Sequence, residues 1–189
     1  MSECSFKEKT MLAKLLLVGL GAFTWTFLEY VIHRFRGHKK NGNGPVRREH
    51  LQHHAKANYF VQLYKKVPIA FIVLALSALL VGALAGITNG LAFAFGLAGM
   101  YFIYELTHRA FHVREPFIRY GLKMRKHHFY HHFGNPKNNH GVTTALWDRI
   151  FKTYQTVEQV AVPPKMVMQW LLNEEHTVKG KYKDHFRLR

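Results

Sequence analysis

The sequence predicts an all-α, integral-membrane protein with about three transmembrane helices and a polar helical cap. Two apolar runs predict the spans: the 38 residues Val67–Tyr104 carry no charged side chain, and a shorter run extends over Leu15–Ile32. A helix needs about 20 apolar residues to cross a bilayer, so the longer run has room for two crossings. Four tight groups of histidines lie in the polar segments beside these runs and predict the cap.

The longer run is interpreted as an antiparallel helical hairpin. Turn-forming residues, Gly86-Ile87-Thr88-Asn89-Gly90, stand near its middle. Both ends of the hairpin therefore return to the same side of the membrane.

The run Leu15–Ile32 is interpreted as a third span and not as a cleaved secretory signal. Three lysines precede it, as they would precede a signal. However, the run contains Trp25 and Glu29 near its end, lacks a small-residue cleavage site and leads directly into a histidine group.

The basic charge is interpreted as a sign of topology. Lys and Arg outnumber Asp and Glu 27 to 11, and 24 of those 27 follow Ile32, in the segments that flank the hairpin. The positive-inside rule places these segments in the cytosol, although a short lysine-bearing N-terminal tail then lies outside. The excess charge would meet anionic headgroups. These features together predict a multi-pass protein of a bacterial inner membrane or the endoplasmic reticulum. The sequence contains no nucleic-acid-binding signature, so we expect no nucleic-acid partner.

The chain is predicted to consist of two parts. Residues 1–155 would form the membrane domain, and residues 156–189 a basic polar C-terminal tail. The sequence Val162-Pro163-Pro164 suggests the end of the core, and Asn41-Gly42-Asn43-Gly44-Pro45 is predicted to be a loop.

Most of the 14 histidines fall into four groups at spacings typical of metal ligands. The groups are His33 and His38; His50, His53 and His54; His108 and His112; and His128, His131 and His132. Residues three and four apart share a helix face, so the members of each of the last three groups can point together. The first pair, five apart, converges only if the helix ends near Gly37 or if two metals are bound. Ten imidazoles exceed what one tetrahedral zinc ion uses, so we predict two metal ions.

Other residue types limit and refine this site. The only cysteine is Cys4, which excludes a disulfide within the chain and a cysteine-based metal centre. Imidazole suits iron, copper and zinc alike. Glu29 and Glu105 lie one helical turn before His33 and His108, so we expect them to accept hydrogen bonds from ligating imidazoles. The alternative is that both carboxylates simply reach the headgroup region.

The order of the four groups, with a long hairpin between the second and third, resembles the fatty acid hydroxylase and sterol desaturase superfamily of membrane di-iron enzymes. The resemblance continues in the closing segment 139–154, which contains Gly141-Val-Thr and Trp147-Asp. Within the superfamily, the segment and the run from Tyr104 look more like acyl-chain 2-hydroxylases. Two departures are the absence of a fused cytochrome domain and Lys152, which stands where the family commonly has glycine.

The resemblance implies an oxidoreductase that hydroxylates a lipid acyl chain with dioxygen at two iron ions, for which zinc can substitute during purification. The ligands that it implies are His33, His38, His50, His53, His54, His108, His112, His128, His131 and His132, with His127 and His140 as additional candidates. A sterol desaturase or carotenoid hydroxylase of the same superfamily is the main alternative. A histidine-rich metal transporter or a zinc hydrolase is a more distant one, and no HExxH motif supports the hydrolase.

The implied chemistry needs electrons from outside the chain. No flavin or nicotinamide fingerprint is present, so we expect a separate donor protein, resembling cytochrome b5 or a ferredoxin. Basic residues near the histidines would steer an acidic donor: Arg34, Arg36, Arg47, Arg48, Arg125 and Lys126.

Overall fold

The structure is a computed structural model that describes residues 3–38 and 42–189. Its helices are α1 (Glu3–Val31), α2 (Pro45–Ala55), α3 (Leu63–Ala85), α4 (Ile87–Val113), α5 (Arg119–Phe133) and α6 (Leu146–Ile150). A π-helical turn, Ile32–Gly37, continues α1, and two short strands, β1 (Val160–Val162) and β2 (Phe186–Leu188), lie near the C-terminus. The side chain of Cys4 and the loop residue Asn41 lie outside the described part of the chain.

Three helices are long and apolar enough to cross a membrane, which confirms the predicted fold class. They are Glu8–Gly37, Leu63–Ala85 and Ile87–Val113. Large apolar side chains on these helices are exposed, among them Phe71 at 71%, Leu84 at 84% and Phe95 at 72%. Such side chains are stable in contact with lipid, where their exposure carries no hydrophobic cost.

The hairpin turn is shorter than the sequence predicts. α3 ends at Ala85 and α4 begins at Ile87, so Gly86 alone connects them. Gly86 adopts a φ of 93°, a conformation that glycine reaches at little cost. The remaining residues of the predicted turn form the first turn of α4, because the N–H groups of Asn89 and Gly90 both donate to the carbonyl of Gly86.

The chain folds into two compact units, the first of which contains the hairpin. This unit comprises the chain up to Leu28 together with Val61–Glu105. Its helices approach closely at glycines: a Cβ on Gly21 would lie 2.1 Å from the carbonyl oxygen of Phe93, and one on Gly90 would lie 2.1 Å from that of Ala78. Small residues at helix crossings are the usual means of packing in a bilayer.

The second unit comprises Glu29–Phe60 and Leu106–Arg189, and it contains the four histidine groups. Strand β1 pairs in parallel with β2, with Val160 opposite Phe186, and β1 packs against α5. Phe129 on α5 is fully buried, and the rings of Trp170 and Phe186 lie 6.4 and 6.1 Å from its ring.

The C-terminal segment therefore folds together with the histidine-bearing helices. The sequence predicts a polar tail over residues 156–189, because Val162-Pro163-Pro164 suggests the end of the core. Eight apolar residues of this segment are buried at 7% exposure or less: Val160, Val162, Met168, Trp170, Leu171, Val178, Tyr182 and Phe186. The indole N–H of Trp170 also donates to the carbonyl of Phe111 on α4, at 2.9 Å. The apolar face of α5 thus finds its partner in this segment.

Candidate metal centre

The ten histidines form two groups of five. Each histidine offers one ring nitrogen, and within each group these nitrogens lie within 4.8 Å of one another. Site A consists of His33, His38, His50, His54 and His131. Site B consists of His53, His108, His112, His128 and His132.

The motif His50-Leu-Gln-His53-His54 on α2 divides its ligands between the sites. His50 and His54, four residues apart, belong to site A, and His53 belongs to site B. We expected all three to point together. The difference follows from helix geometry. His50 and His54, four residues apart, lie nearly above one another, whereas the adjacent residues His53 and His54 are rotated by about 100° around the helix axis. One helix can therefore supply ligands to two ions.

Helix α5 also divides its histidines between the two sites, but it gives two to site B and one to site A. His128 and His132 belong to site B, and His131 belongs to site A. The stacked rings of His54 and His132, one from each site, have centroids 4.1 Å apart, so the two sites are adjacent. The pair His108 and His112 on α4 both enter site B, as their spacing predicts.

A π-helical turn brings His33 and His38 into the same site. In a π-helix the hydrogen bonds run from residue i to i+5, so side chains five apart come closer to one face than in an α-helix. The turn covers Ile32–Gly37, and His38 follows it as the first residue outside. Gly37 allows a close approach here, because a Cβ at this position would lie 2.9 Å from Cδ2 of His50.

Backbone carbonyls orient three of the imidazoles. The Nδ1 atom of His131 lies 2.6 Å from the carbonyl oxygen of Asn138, that of His53 lies 2.8 Å from the carbonyl of Tyr59, and that of His33 contacts the carbonyl of His140. A carbonyl can only accept, so each Nδ1 carries the proton and donates. In the neutral ring the lone pair is then on Nε2, the atom that faces the cluster.

The distances between Nε2 atoms fit a shared cation. In site A the Nε2 of His38 lies 2.9 Å from that of His131 and 2.7 Å from that of His50. In site B the Nε2 atoms of His112 and His128 are 3.0 Å apart. Two nitrogens bound at about 2.1 Å from one ion and at right angles are about 3.0 Å apart, whereas a tetrahedral angle would separate them by about 3.4 Å. The nitrogens of each pair are therefore close enough to bind one ion together.

Buried ring nitrogens support the same conclusion. Among the residues that the structure describes, the buried Nε2 of His33 and both ring nitrogens of His132 have no hydrogen-bonding partner. A buried polar atom without a partner is costly, and a bound metal would satisfy it. Two imidazole-lined sites of this kind fit two transition-metal ions.

Burial keeps the ligands in their metal-binding form. Burial, together with the neighbouring imidazoles, lowers the pKa of His54 to about 3. Burial, together with His140 and Arg47, lowers the pKa of His38 to about 4. Burial also lowers the pKa of His131 well below its usual value. A metal binds the neutral imidazole, so no proton must leave these rings at neutral pH.

The contacts of the two carboxylates differ from those that the sequence suggests. Glu29 is buried and accepts hydrogen bonds from the N–H of Val142 at 2.5 Å and from the N–H and hydroxyl of Thr143 at 2.9 and 2.7 Å. Glu105 pairs with Lys66 at 2.5 Å. Glu29 therefore holds the closing segment against the end of α1, and the expected hydrogen bonds from ligating imidazoles to these carboxylates stay a prediction.

His127 and His140, the additional ligand candidates, lie outside both five-histidine groups and contact Asp148. The Nε2 of His127 lies 3.1 Å from Oδ2 of Asp148, and the Nδ1 of His140 lies 3.6 Å from Oδ1. The ring of His140 is 5.2 Å from that of His131, centroid to centroid. His140 therefore lies beside site A without joining it, whereas the contacts of His127 are with Asp148 and Tyr154.

Asp148 is the residue that sequence reasoning missed. Its carboxylate is fully buried, and burial alone would raise its pKa, but hydrogen bonds from His127, His140 and the N–H of Gly141 hold it well below the usual value. The signal was the Trp147-Asp element of the closing segment, which the sequence analysis used only as a family marker. In the same segment Lys152 adopts a φ of 57°, a left-handed conformation that glycine reaches at little cost.

Fold and site together define a helical membrane protein with a candidate dinuclear, all-histidine metal centre. The family model for fatty acid hydroxylases matches residues 18–153, so the chain belongs to the fatty acid hydroxylase family. It is 35% identical to the fatty acid 2-hydroxylase of Mus musculus over 71% of this chain and 38% of that protein. It is 29% identical to a dihydroceramide fatty acyl 2-hydroxylase of Arabidopsis thaliana over 77% of this chain and 63% of that protein.

A solved structure has a similar fold. It is described as full-length scs7p with only the hydroxylase domain visible, and it matches with a TM-score of 0.57 and 29% identity over 77% of this chain and 57% of that chain. The chain thus spans less than two thirds of the length of these relatives.

Proposed function

We propose that the chain binds two iron ions, one in each five-histidine site, and hydroxylates the acyl chain of a membrane lipid. The observation that carries the proposal is the convergence of ten buried or half-buried imidazoles into two adjacent sites. The balanced reaction consumes dioxygen, two electrons and two protons, inserts one oxygen atom into a C–H bond and releases the other as water.

Iron is proposed because the reaction requires a redox-active metal. An alkyl C–H bond has no acidic proton or electrophilic centre for side chains to attack, and bound iron would supply the activation of dioxygen. The chain's own residues hold the ions, exclude water by their burial and keep the imidazoles neutral. Zinc binds imidazole more tightly than ferrous iron, so zinc in purified protein would be compatible with an iron enzyme.

The relatives suggest the substrate. Those described above are called fatty acid 2-hydroxylase and dihydroceramide fatty acyl 2-hydroxylase. We extend this chemistry to the present chain and propose an amide-linked or free fatty acyl chain, oxidised at carbon 2. Three candidate spans would place the protein in the bilayer, where such chains are found.

The alternative functions are less well supported. A sterol desaturase or carotenoid hydroxylase is not favoured by the relatives, whose names describe fatty acyl and ceramide hydroxylation. A metal transporter would carry its ligands along a path through the bilayer, near the midplane. Here all ten histidines belong to the unit formed by Glu29–Phe60 and Leu106–Arg189, and none lies on α3.

Lipid analysis tests the proposed activity. We expect cells that produce the protein to accumulate 2-hydroxylated acyl lipids, measured by mass spectrometry against cells without the gene. His131→Asn should abolish the product because it removes a ligand of site A. The matched control is His176→Asn, which changes an exposed histidine outside both sites. Normal product from His131→Asn at equal protein level would reject the proposed site.

We further propose that the histidine sites face the cytosol and receive electrons from a separate, acidic donor protein. The positive-inside rule and the basic residues after Ile32 support this orientation. Arg36 and Arg48 are exposed and can steer such a partner. Arg125, which the sequence predicts to be part of this surface, is excluded from it because its side chain is buried and donates to the carbonyl of Ala110 on α4.

Salt dependence tests the donor. Added salt screens charges over about 10 Å at 0.1 M, so turnover with a protein donor should fall as salt rises. Turnover with a small uncharged reductant should change much less. An identical salt response with both electron sources would contradict docking on the basic face.

A further inference from the structure

Asp148 organises the segment that carries two of the acceptors for site A. Its Oδ1 accepts hydrogen bonds from the N–H of His140 at 2.8 Å and from the hydroxyl of Thr153 at 2.7 Å. Its Oδ2 accepts from the N–H of Gly141 at 2.8 Å and from Nε2 of His127 at 3.1 Å. A carboxylate has about four acceptor positions, so these four donors occupy all of them. Asp148 therefore holds the backbone of His140 and Gly141 in place.

One peptide group connects this carboxylate to a ligand of site A. The N–H of Gly141 donates to Asp148, and the carbonyl of the same peptide group, which belongs to His140, accepts the proton of Nδ1 of His33. The two dipoles of a planar peptide group are coupled by its resonance. A carboxylate on the N–H side therefore makes the carbonyl oxygen a stronger acceptor, by the polarisation that operates in chains of hydrogen bonds.

The second acceptor depends on the same carboxylate through Thr153. The carbonyl of Thr153 accepts from the N–H of Asn139 at 2.9 Å and from the side-chain amide of Asn138 at 3.1 Å. The carbonyl of Asn138 in turn accepts the proton of Nδ1 of His131 at 2.6 Å. Site A thus has two of its five imidazoles oriented by this segment.

The packing leaves little freedom for this arrangement to relax. A Cβ on Gly141 would lie 2.0 Å from the carbonyl oxygen of Thr144 and 3.0 Å from Oδ2 of Asp148. Asp148, Asn139 and His140 are all buried at 2% exposure or less. Site B takes no comparable contact from this segment among the hydrogen bonds described: its His53 is oriented by the carbonyl of Tyr59, on the chain after α2.

We propose that Asp148 is a positioning residue for site A, acting through the Gly141 peptide group and the carbonyls of His140 and Asn138. It holds His33 and His131 with Nε2 directed at the metal position and increases the basicity of His33. This inference rests on the proposed metal centre, but it concerns one site only. Outer carboxylates of this kind typically change metal affinity by about 10–100-fold.

The test measures the two sites separately with Co²⁺, whose visible absorption reports its coordination. In the full chain, His108→Asn leaves site A as the intact site, and His50→Asn leaves site B. Asp148→Asn is then added to each of these backgrounds. Asp184→Asn, an exposed residue of the same unit, is the matched control for the loss of one carboxylate.

We expect Asp148→Asn to weaken Co²⁺ binding about 10–100-fold in the site A background and to leave it unchanged in the site B background. Its Co²⁺ spectrum in site A should also shift, and Asp184→Asn should change neither. Equal weakening of both sites would show a merely structural role and overturn the proposal, as would unchanged binding at site A.

A second variant covers the case in which Asp148→Asn does not fold. Thr153→Val keeps the shape of the side chain and removes a single donor to Asp148, so it should produce a smaller loss in the same site only. Failure of the parent chain to bind two Co²⁺ ions would reject the proposed metal centre itself. Two bound ions with no selective effect of either variant would reject only the positioning role.

Discussion

Arg125 offers a prediction whose size can be worked out from the structure. Its side chain is 4% exposed and donates to the carbonyls of Ala110 at 3.1 Å and Arg114 at 3.0 Å. Ala110 lies in the last turn of α4, where its carbonyl also accepts the N–H of Arg114, and Arg114 is the first residue after the helix. The guanidinium also lies 4.9 Å from the ring centroid of Phe111. Burial lowers the pKa of Arg125 to about 10, so it remains charged at neutral pH.

The change considered is Arg125→Met, which keeps an apolar stem and removes the donors. A hydrogen bond to a charged group contributes about 1.5–3 kcal/mol, so losing the bonds to the carbonyls of Ala110 and Arg114 costs about 3–6 kcal/mol. Relief of the buried charge offsets part of this cost. A net loss of about 3 kcal/mol in the free energy of unfolding lowers Tm by about 6–12 °C for a chain of this size.

The loss should also reach site B. Arg125 fastens α4, which carries His108 and His112, to α5, which carries His128 and His132. We therefore expect weaker metal binding at site B than at site A in the variant. The assay is thermal unfolding of the purified protein in detergent, followed by metal content after dialysis against a chelator.

Arg119→Met is the control, since Arg119 is an exposed residue on the same helix. It should leave Tm and metal content close to those of the parent. If Arg125→Met shifted Tm no more than this control does, the assignment of Arg125 as the clamp between the two helices would be refuted.

Three further predictions follow from single positions. His53→Ala should lose the ion of site B, and His54→Ala should lose the ion of site A. Metal analysis of the two variants would check this, and loss of the same ion from both would contradict the assignment of His53 and His54 to different sites. Gly37→Ala places a Cβ 2.9 Å from the imidazole of His50 and should lower the free energy of unfolding by about 1–3 kcal/mol, measured by thermal unfolding. Gly44→Ala, whose Cβ would have no atom within 4 Å, should leave the free energy of unfolding unchanged. Lys152→Gly should raise stability by about 1 kcal/mol because it relieves a left-handed backbone, and an unchanged or lower Tm would show that the position is not strained.

The hydrophobic layout could be predicted well from the sequence. Three spans follow from the length of the uncharged runs, and the structure has three helices that satisfy the same criterion. The turn could not be placed correctly, because Gly86 and Gly90 are both turn-forming residues by type. Packing decided between them: Gly90 lies inside α4, where its missing side chain allows close approach to Ala78.

The identity of the candidate ligands was also predictable, but their distribution was not. Spacing shows that His50, His53 and His54 can approach one another, and it does not show which of them share an ion. The division depends on how α2 faces the π-helical turn and the helices α4 and α5, which is a property of the assembled unit. Likewise, no pattern in the amino-acid sequence predicts the π-helical turn at Ile32–Gly37 that brings His33 close to His38.

Long-range hydrogen bonds explain the remaining difference. By itself, the sequence determined the apolar spans, the ten imidazoles and the family, because length, composition and spacing are local properties that survive in any conformation. Only the tertiary structure decided that Asp148 accepts hydrogen bonds from the backbone of His140 and Gly141, that Arg125 binds a carbonyl of α4, and that the segment after residue 155 packs against α5. Each of these depends on partners that are distant along the chain, such as Trp170 and the carbonyl of Phe111, 59 residues apart. Buried polar and apolar groups must find partners somewhere, and only the folded chain specifies which ones are within reach.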